Sequence, residues 1–202
     1  MASQKNEMKK FGLVGKNIDY SFSRGYFADK FKKNGLLDCS YENFDLKEIE
    51  GIKSVFKTHG LNGLNVTIPY KKEVLPFLDK LSPQSKKIGA VNTIAFNKNG
   101  ETTGHNTDAY GFQKSLLEIT EKLPVSALIL GTGGASAAIA FALEALKIQF
   151  NFVSRNPKQG QLSYEAVDTE ILKHNHLIIN TSPVGTFPNT DKCPSIPYNE
   201  LN

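Results

Sequence analysis

The residues best suited to chemistry lie in two stretches, Asn65-Val66-Thr67-Ile68-Pro69-Tyr70-Lys71 and Gly104-His105-Asn106-Thr107-Asp108. The first reads as a strand, Leu64 to Ile68. Alternation puts Asn65 and Thr67 on one face and Val66 and Ile68 on the other. Pro69 ends it and turns the chain, which leaves Lys71 near the strand's C-terminal end, the edge where ligands gather in α/β sheets. A lysine there can serve as a general acid or base if its pKa falls towards working pH. Taken alone, it reads better as a surface lysine at a helix start, beside Lys72. Asp108 alone reads as the N-cap of the next helix, and Ser23 reads the same way for a helix through Phe27.

A hairpin changes the balance for Asp108. Val91 to Phe96 and Thr102 to Asn106 are strand-like, and Asn97-Lys98-Asn99-Gly100 between them is a turn signal. A turn centred between residues 98 and 99 sets Asn92 opposite residue 105, close to Asn106 and Asp108. Small polar side chains converging beside a lysine suit a polyhydroxylated ligand. His105 is out of phase with Asn106 and faces away. His59, His174 and His176 lie on or just beyond predicted helices and are assigned no chemistry. The two cysteines, Cys39 and Cys193, have no metal-ligand spacing. They read as free thiols in a reducing compartment, and no metal site is expected.

A separate chemistry belongs to Gly131-Thr132-Gly133-Gly134-Ala135-Ser136. A phosphate-binding turn between strand and helix needs glycines to turn sharply, to let a pyrophosphate approach, and to pack helix on strand. Gly131 and Gly133 fill the first two positions, and the small Ser136 takes the third. Free N–H groups at the helix start then face the phosphates. The turn follows an apolar strand, opens an Ala-rich helix and precedes another strand, which is the context a dinucleotide site requires. The cofactor is read at the end of that next strand. An NAD enzyme places Asp or Glu there for the ribose hydroxyls. This chain has Val153-Ser154-Arg155-Asn156, with Lys158 nearby. A guanidinium suits a 2′-phosphate, so the expected cofactor is NADP.

The elements that must hold these groups alternate between strand and helix. Phe11 to Gly15 reads as a buried strand. A polar loop through Ser21 and Ser23 leads to a helix carrying Phe27 and Phe31 and stopping at Asn34-Gly35. Tyr41 to Leu46 reads as a strand. Ile49, Ile52, Val55 and Phe56 mark an amphipathic helix ended by Gly60, and Val74, Leu75 and Leu78 mark another. Asp108 opens a helix with Phe112, Leu116 and Leu117. Then come a strand (Val125 to Leu130), a helix (Gly134 to Leu146), a parallel strand (Phe150 to Val153), a helix around Tyr164 to Lys173, and the strand Leu177 to Asn180. The loop after it begins Thr181-Ser182-Pro183-Val184-Gly185.

Size and charge bound the possibilities. A chain of 202 residues holds one large domain or two small ones. A net charge of +4 falls short of the basic balance of a nucleic-acid binder. Met1 to Lys10 is polar and lysine-rich, not a signal peptide. Ala127 to Leu146 carries only Glu144 as a charge, but the glycines divide it into a buried strand and a buried helix, not a membrane span. With only three parallel strands and an end at Asn202, the second half reads as missing its C-terminal part.

Together the motifs resemble the shikimate dehydrogenases. The matching pieces come in family order and span nearly the whole chain: Tyr20-Ser21-Phe22-Ser23, the Asn65–Lys71 stretch, Gly89-Ala90-Val91-Asn92-Thr93, the Gly104–Asp108 stretch, the glycine turn, Ser154-Arg155-Asn156, and Asn180 to Gly185. The resemblance implies an α/β fold of two domains. Residues 1–107 would form a substrate-binding and catalytic domain, and residues 108–202 a Rossmann-like parallel-sheet NADP domain, incomplete at its C-terminus. It implies NADPH-dependent reduction of 3-dehydroshikimate to shikimate, in aromatic amino-acid biosynthesis, by a cytoplasmic monomer or homodimer without nucleic-acid or membrane partners. Ser21 and Ser23 would hold the substrate carboxylate. Thr67, Asn92 and Asp108 would bond its hydroxyls, and Lys71 would be the acid/base with Asp108 as its partner. Gly131, Thr132, Gly133, Gly134, Ala135, Ser154, Arg155 and Asn156 would hold the cofactor.

Departures from the family pattern are Tyr20 for a usual His, Arg24 for a frequent Pro, and Ser154-Arg155-Asn156 where Asn-Arg-Thr is usual, which weakens the NADP contact without removing the Arg. The family's C-terminal helix, with a Gln for the ligand, and the preceding Tyr have no counterpart, which implies weak binding and poor turnover. The rival readings are a quinate/shikimate dehydrogenase using NAD, a ligand-sensing relative without catalysis, and a folate dehydrogenase of similar plan. Lys71 with Asp108 argues against the second, and the twin serines against the third.

Overall fold

The structure is a computed structural model and describes residues 8–201. The polar opening Met1 to Lys10 lies outside the described residues as far as residue 7. The chain divides into two compact units, one ending at Asn106 and one beginning at Thr107.

The first unit contains β1 (Lys9–Gly15), α1 (Phe22–Lys33), β2 (Cys39–Asp45), α2 (Ile52–Val55) and β3 (Leu61–Val66), followed by β4 (Lys80–Leu81), α3 (Pro83–Ile88), β5 (Thr93–Phe96) and β6 (Thr102–His105). The strands form one six-stranded sheet in the order β2-β1-β3-β5-β6-β4. Only β5 runs against the others. Alternation gives the sheet two apolar faces. Val14, Leu64, Val66 and Ile94 pack under Ile49, Ile52 and Val55. On the opposite face Leu13, Ile18 and Tyr41 pack against Phe27 and Phe31 of α1.

Several elements differ from the sequence reading. β3 stops at Val66, not Ile68. Val66 is 2% exposed and Ile68 46% exposed, because the Thr67 N–H makes the last bond to β1 and the Tyr70 N–H then closes a turn onto the Thr67 carbonyl. The amphipathic helix from Ile49 is a 3-10 turn, Ile49–Gly51, running into the four residues of α2. The helix expected through Val74, Leu75 and Leu78 is a single 3-10 turn, Leu75–Phe77. Pro76 has no N–H to give and disfavours helical backbone at Leu75. β4 and α3 were not anticipated. Yet α3 carries plain signals: Ser82 caps it by accepting the Ser85 N–H at 3.1 Å, Pro83 opens it, and Gly89 closes it at φ +67°.

The second unit contains α4 (Asp108–Ile119), β7 (Ser126–Leu130), α5 (Gly134–Ala145), β8 (Gln149–Ser154), β9 (Leu162–Ser163), α6 (Thr169–His174) and β10 (Leu177–Asn180). Its sheet is parallel throughout, in the order β10-β7-β8-β9. Helices α4 and α5 cover one face through Leu116, Ile139 and Leu143, and α6 covers the other through Leu172. This is the doubly wound, Rossmann-like arrangement, and the α/β class read from the sequence holds. The long apolar run from Ala127 is β7 and α5, as read. Three details change. A fourth strand, β9, is present but is too short to leave a periodic signal. The helix near Tyr164 starts only at Thr169, where Asp168 accepts the Ile171 N–H at 2.9 Å. Leu117 lies half exposed beside the buried Leu116. Among the described residues no helix is long and apolar enough to cross a membrane.

Candidate active site

In the first unit the polar residues singled out from the sequence collect at one edge of the sheet. The loop after β1 carries Ser21 and leads to Ser23. Thr67 and Lys71 follow β3. Asn92 precedes β5, which runs antiparallel and so starts at that same edge, and Asn106 follows β6.

The loop after β1 is held by β2. The Asp45 carboxylate accepts the N–H groups of Asn17 and Ile18, each at 2.9 Å, and the Asn43 amide donates to the Ile18 carbonyl at 3.1 Å. The Ser21 N–H then bonds the Ile18 carbonyl at 2.9 Å. Ser21, rather than Ser23, is the N-cap of α1, and its Oγ accepts the Ser23 N–H at 3.2 Å. A capping hydroxyl that accepts from the helix keeps its own O–H to donate. No acidic residue occupies the first turn, so two hydroxyls sit at the positive end of a twelve-residue helix. That arrangement is chemically suited to an anion.

Gly15 shapes the neighbouring wall. A Cβ there would lie 2.5 Å from the methyl groups of both Ile18 and Thr67. Only glycine lets Thr67 settle over β1. The turn beyond it is anchored by Tyr70, which is buried and donates to the Leu46 carbonyl at 2.8 Å. The Lys71 carbonyl accepts the Val91 N–H at 2.7 Å, which ties the lysine to the segment that leads through Asn92 into β5.

The hairpin forms, with its register one residue from the expected one. Thr93 pairs with His105 and Phe96 with Thr102. The loop is three residues wide because Gly100 takes φ +79° and Asn97 Oδ1 accepts the N–H groups of Asn99 and Glu101 at 2.9 Å. The shift sets Asn92 across from Asn106 instead of His105. Both amides are buried. Asn106 donates to the Ala90 carbonyl at 3.1 Å, and the Asn92 N–H bonds the His105 carbonyl at 3.0 Å.

The residues missed in the sequence are Asp45, Asn43 and Tyr41. The Tyr41 hydroxyl donates to Asn65 Oδ1 at 2.8 Å. Burial pushes its pKa up to about 12, against a smaller opposing effect of the Ser23 hydroxyl beside it. Nothing local marks these residues, because their partners lie more than twenty positions away.

In the second unit Thr107 is the N-cap of α4 and Asp108 its first residue, one place on from the capping position read for the aspartate. The glycine turn lies after β7, and β10 pairs with β7 on the side away from β8. The strand order therefore reverses at β7, the point where doubly wound sheets bind ligands. Gly131 has φ +117°, and a Cβ there would lie 2.8 Å from Thr181 Oγ1. Thr181 donates from that oxygen to the Leu130 carbonyl at 2.8 Å. The next loop is folded tightly: Asn180 Oδ1 accepts from the Ser182 N–H at 3.0 Å and the Ser182 hydroxyl at 2.7 Å. Gly133 caps α5, and a Cβ there would meet nothing within 4 Å. Open space above a glycine at a helix N-terminus is what a pyrophosphate needs, so these residues fit a dinucleotide. Ser136 is buried, with its hydroxyl on the Gly133 carbonyl at 2.7 Å, which shows why the third position must be small.

At the end of β8, Ser154 is buried and accepts the Asn156 N–H at 3.2 Å. This bond shapes the turn that leaves Arg155 and Asn156 exposed. Arg155 lies close enough to Tyr164 to lower its pKa, although burial raises it more. No acidic residue stands at the strand end, and the exposed group there is a guanidinium. Among the described residues no group of three or more His, Cys, Asp or Glu could hold a metal ion.

Comparison with known proteins extends this picture. Residues 13–94 match the family model for the shikimate dehydrogenase substrate binding domain. A shikimate dehydrogenase (NADP(+)) from Methanococcus maripaludis is 35% identical, over 97% of this chain and 75% of that protein. The crystal structure of the shikimate 5-dehydrogenase of Thermus thermophilus in complex with NADP(H) and shikimate is 30% identical with a TM-score of 0.78, covering 96% of this chain and 75% of that one. Quinate dehydrogenase from Corynebacterium glutamicum, in complex with NAD, gives a TM-score of 0.81 at 24% identity, over 98% of this chain and 78% of that one. At that identity the likeness extends to the fold alone.

Proposed function

This chain belongs to the shikimate dehydrogenase family, and from that premise we propose that it reduces 3-dehydroshikimate to shikimate, with Lys71 as the acid/base and Asp108 as its carboxylate partner. Its class is that of the NADP-dependent oxidoreductases. The finer reading rests on one observation above all: Ser21, Ser23, Thr67, Lys71 and Asn92 come from separate segments of the chain and collect at a single sheet edge.

The division of labour follows from the chemistry. The first unit, to Asn106, supplies the proposed substrate and catalytic groups other than Asp108. The second is the cofactor domain, where Gly131 to Ala135 hold the pyrophosphate and Ser154, Arg155 and Asn156 receive the adenosine 2′-phosphate. NADPH, when bound, supplies the hydride. Ser21 and Ser23 donate their hydroxyl protons to the ring carboxylate at the start of α1. Thr67, Asn92 and Asp108 bond the ring hydroxyls. As hydride reaches the carbonyl carbon, negative charge builds on its oxygen, and the Lys71 ammonium stabilises that charge and gives up a proton to it. The ammonium is the form able to donate, and a carboxylate partner would orient it towards the carbonyl oxygen. The reverse reaction runs the same proton from shikimate hydroxyl to lysine amine.

The test is the oxidation of shikimate followed by NADPH absorbance, with NADP and NAD compared as acceptors and quinate compared as substrate. Turnover with shikimate and NADP is expected to exceed the other three combinations. Equal rates with NAD would remove the assigned role of Arg155, and a preference for quinate would replace the substrate.

A further inference from the structure

The hydroxyl groups proposed to bind substrate are not set by the backbone alone. Tyr41 lies on β2 at 8% exposure, with its ring stacked on Phe27 of α1 at 4.4 Å between centroids and 12° between planes. Ser23 and Phe27 are four apart, on one face of that helix, so Tyr41 meets α1 twice: its ring lies on Phe27, and its hydroxyl lies beside that of Ser23. On its other side the Tyr41 hydroxyl donates to Asn65 Oδ1 at 2.8 Å. Asn65 Nδ2 then reaches Thr93 Oγ1 at 3.4 Å, and the Thr93 hydroxyl donates to Asn92 Oδ1 at 3.1 Å.

From Tyr41 this chain of groups is polarised in one direction. Tyr41 donates to Asn65, Asn65 to Thr93 and Thr93 to Asn92. Each intermediate side chain both accepts and donates, the pattern in which neighbouring bonds strengthen one another, and Asn65 Nδ2 also reaches the Asn92 carbonyl at 3.5 Å. One end lies against the proposed carboxylate contact, Ser23, and the other is a proposed ring-hydroxyl contact, Asn92. The Tyr41 proton is spent on Asn65, so towards Ser23 the phenol oxygen can only accept, the sense in which Ser23 opposes the rise of the Tyr41 pKa. A phenylalanine at position 41 would fill the same space and keep the stack on Phe27, so the hydroxyl is not there for packing.

We propose that Tyr41 is a positioning residue for substrate recognition, its ring stacked on α1 and its hydroxyl bonded to Asn65 of β3, so that it sets the distance between the carboxylate end and the hydroxyl end of the site. This rests on the reading of Ser23 and Asn92 as substrate contacts. Tyr41 acts through Ser23 and Asn65, and its effect falls on ground-state fit. It belongs to KM, with kcat and the cofactor KM unmoved.

The experiment compares Tyr41→Phe, Ser23→Ala and the double variant in steady-state shikimate oxidation, with shikimate affinity measured by calorimetry and melting temperature recorded for each. Tyr41→Phe is expected to raise the shikimate KM and dissociation constant roughly fivefold to tenfold, at unchanged kcat and NADP KM. The double variant is expected to cost less than the product of the singles, because Tyr41 acts partly through Ser23. Thr93→Val, which cuts the same chain beyond Asn65, is expected to raise KM alike, and it carries the test should Tyr41→Phe fail to fold. A raised KM for Ser23→Ala with none for Tyr41→Phe or Thr93→Val overturns the positioning role alone. An unchanged KM for Ser23→Ala overturns the carboxylate contact, and the positioning role with it.

Discussion

Gly131 and Gly133 share one turn, yet they should respond in opposite ways to the same added methyl group. At Gly131 the backbone has φ +117°, a region that costs a residue with a side chain about 1–3 kcal/mol. The new Cβ would also stand 2.8 Å from Thr181 Oγ1 and 3.3 Å from the Ser182 nitrogen. Thr181 must swing away and lose its bond to the Leu130 carbonyl, worth about 0.5–1.5 kcal/mol. Gly131→Ala should therefore destabilise the second unit by roughly 2–4 kcal/mol. At Gly133 φ is −80°, which any residue adopts, and a Cβ meets no atom of the protein within 4 Å. Gly133→Ala should cost at most about 1 kcal/mol as a poorer helix cap. Its methyl nevertheless enters the space where the pyrophosphate must come closest, and NADPH affinity should fall at least about tenfold, or 1.4 kcal/mol. Urea unfolding measures the first quantity and fluorescence titration with NADPH the second. Parental stability in Gly131→Ala would refute the clash argument. Parental NADPH affinity in Gly133→Ala would refute the placement of the phosphates.

Lys71→Ala should lower turnover about a hundredfold or more with little change in shikimate affinity, and near-parental turnover in the same assay would take Lys71 out of the mechanism. Arg155→Ala should raise the KM for NADPH roughly tenfold, the loss of a charge-assisted contact, and leave NADH kinetics unchanged; equal effects on both cofactors would place the guanidinium elsewhere than on the 2′-phosphate. Asp79 accepts the Thr102 N–H at 2.7 Å and its hydroxyl at 2.8 Å, and these bonds hold its pKa below the ordinary 3.8. A depressed folded-state pKa contributes stability above the unfolded value and loses it as pH falls through the lower folded one. The melting temperature of the parent should thus exceed that of Asp79→Ala at neutral pH and converge on it in strong acid, and a gap independent of pH would rule out the carboxylate as its source.

The glycine turn was readable because its demands are local. A positive φ, an open cap and a small third residue are requirements on the residues themselves, and the strand and helix on either side advertise themselves by periodicity. Arg155 was readable for the same reason, since its place is fixed by counting along β8. The helix read through Val74 shows the opposite case. Its apolar spacing was present, but Pro76 stood inside it, and the missing N–H outweighs the spacing. The capping signals at Ser82, Pro83 and Gly89 were equally local and could have located α3. The hairpin sits between these cases. Its turn signal was correct, but choosing a two-residue centre over a three-residue loop moved the register by one. Since side chains alternate with period two, that single step decides whether Asn92 faces Asn106 or His105.

What stayed hidden is the support of the site, because its bonds join residues far apart in the chain. Asp45 holds the loop at Asn17 and Ile18 across 28 and 27 positions, and Tyr41 reaches Asn65 across 24. A polar residue in a strand pattern announces only that it need not be apolar; it does not name its partner. The two serines illustrate the consequence. Read locally, Ser23 was the cap of α1 and Ser21 merely preceded it. In the fold Ser21 is the cap and accepts the Ser23 N–H, while the Ser23 hydroxyl lies beside Tyr41. The Ser21 oxygen thereby has its accepting side engaged by the helix, and what it can still offer an incoming ligand is a proton. The Ser23 hydroxyl stands next to it, on a helix face fixed by the stack of Tyr41 on Phe27. Hydroxyls at the positive end of a helix without an acid in its first turn suit an anion. On the proposed reading, any preference for a carboxylate at this end is built by β2 and its long-range bonds, and the serine motif supplies only the atoms.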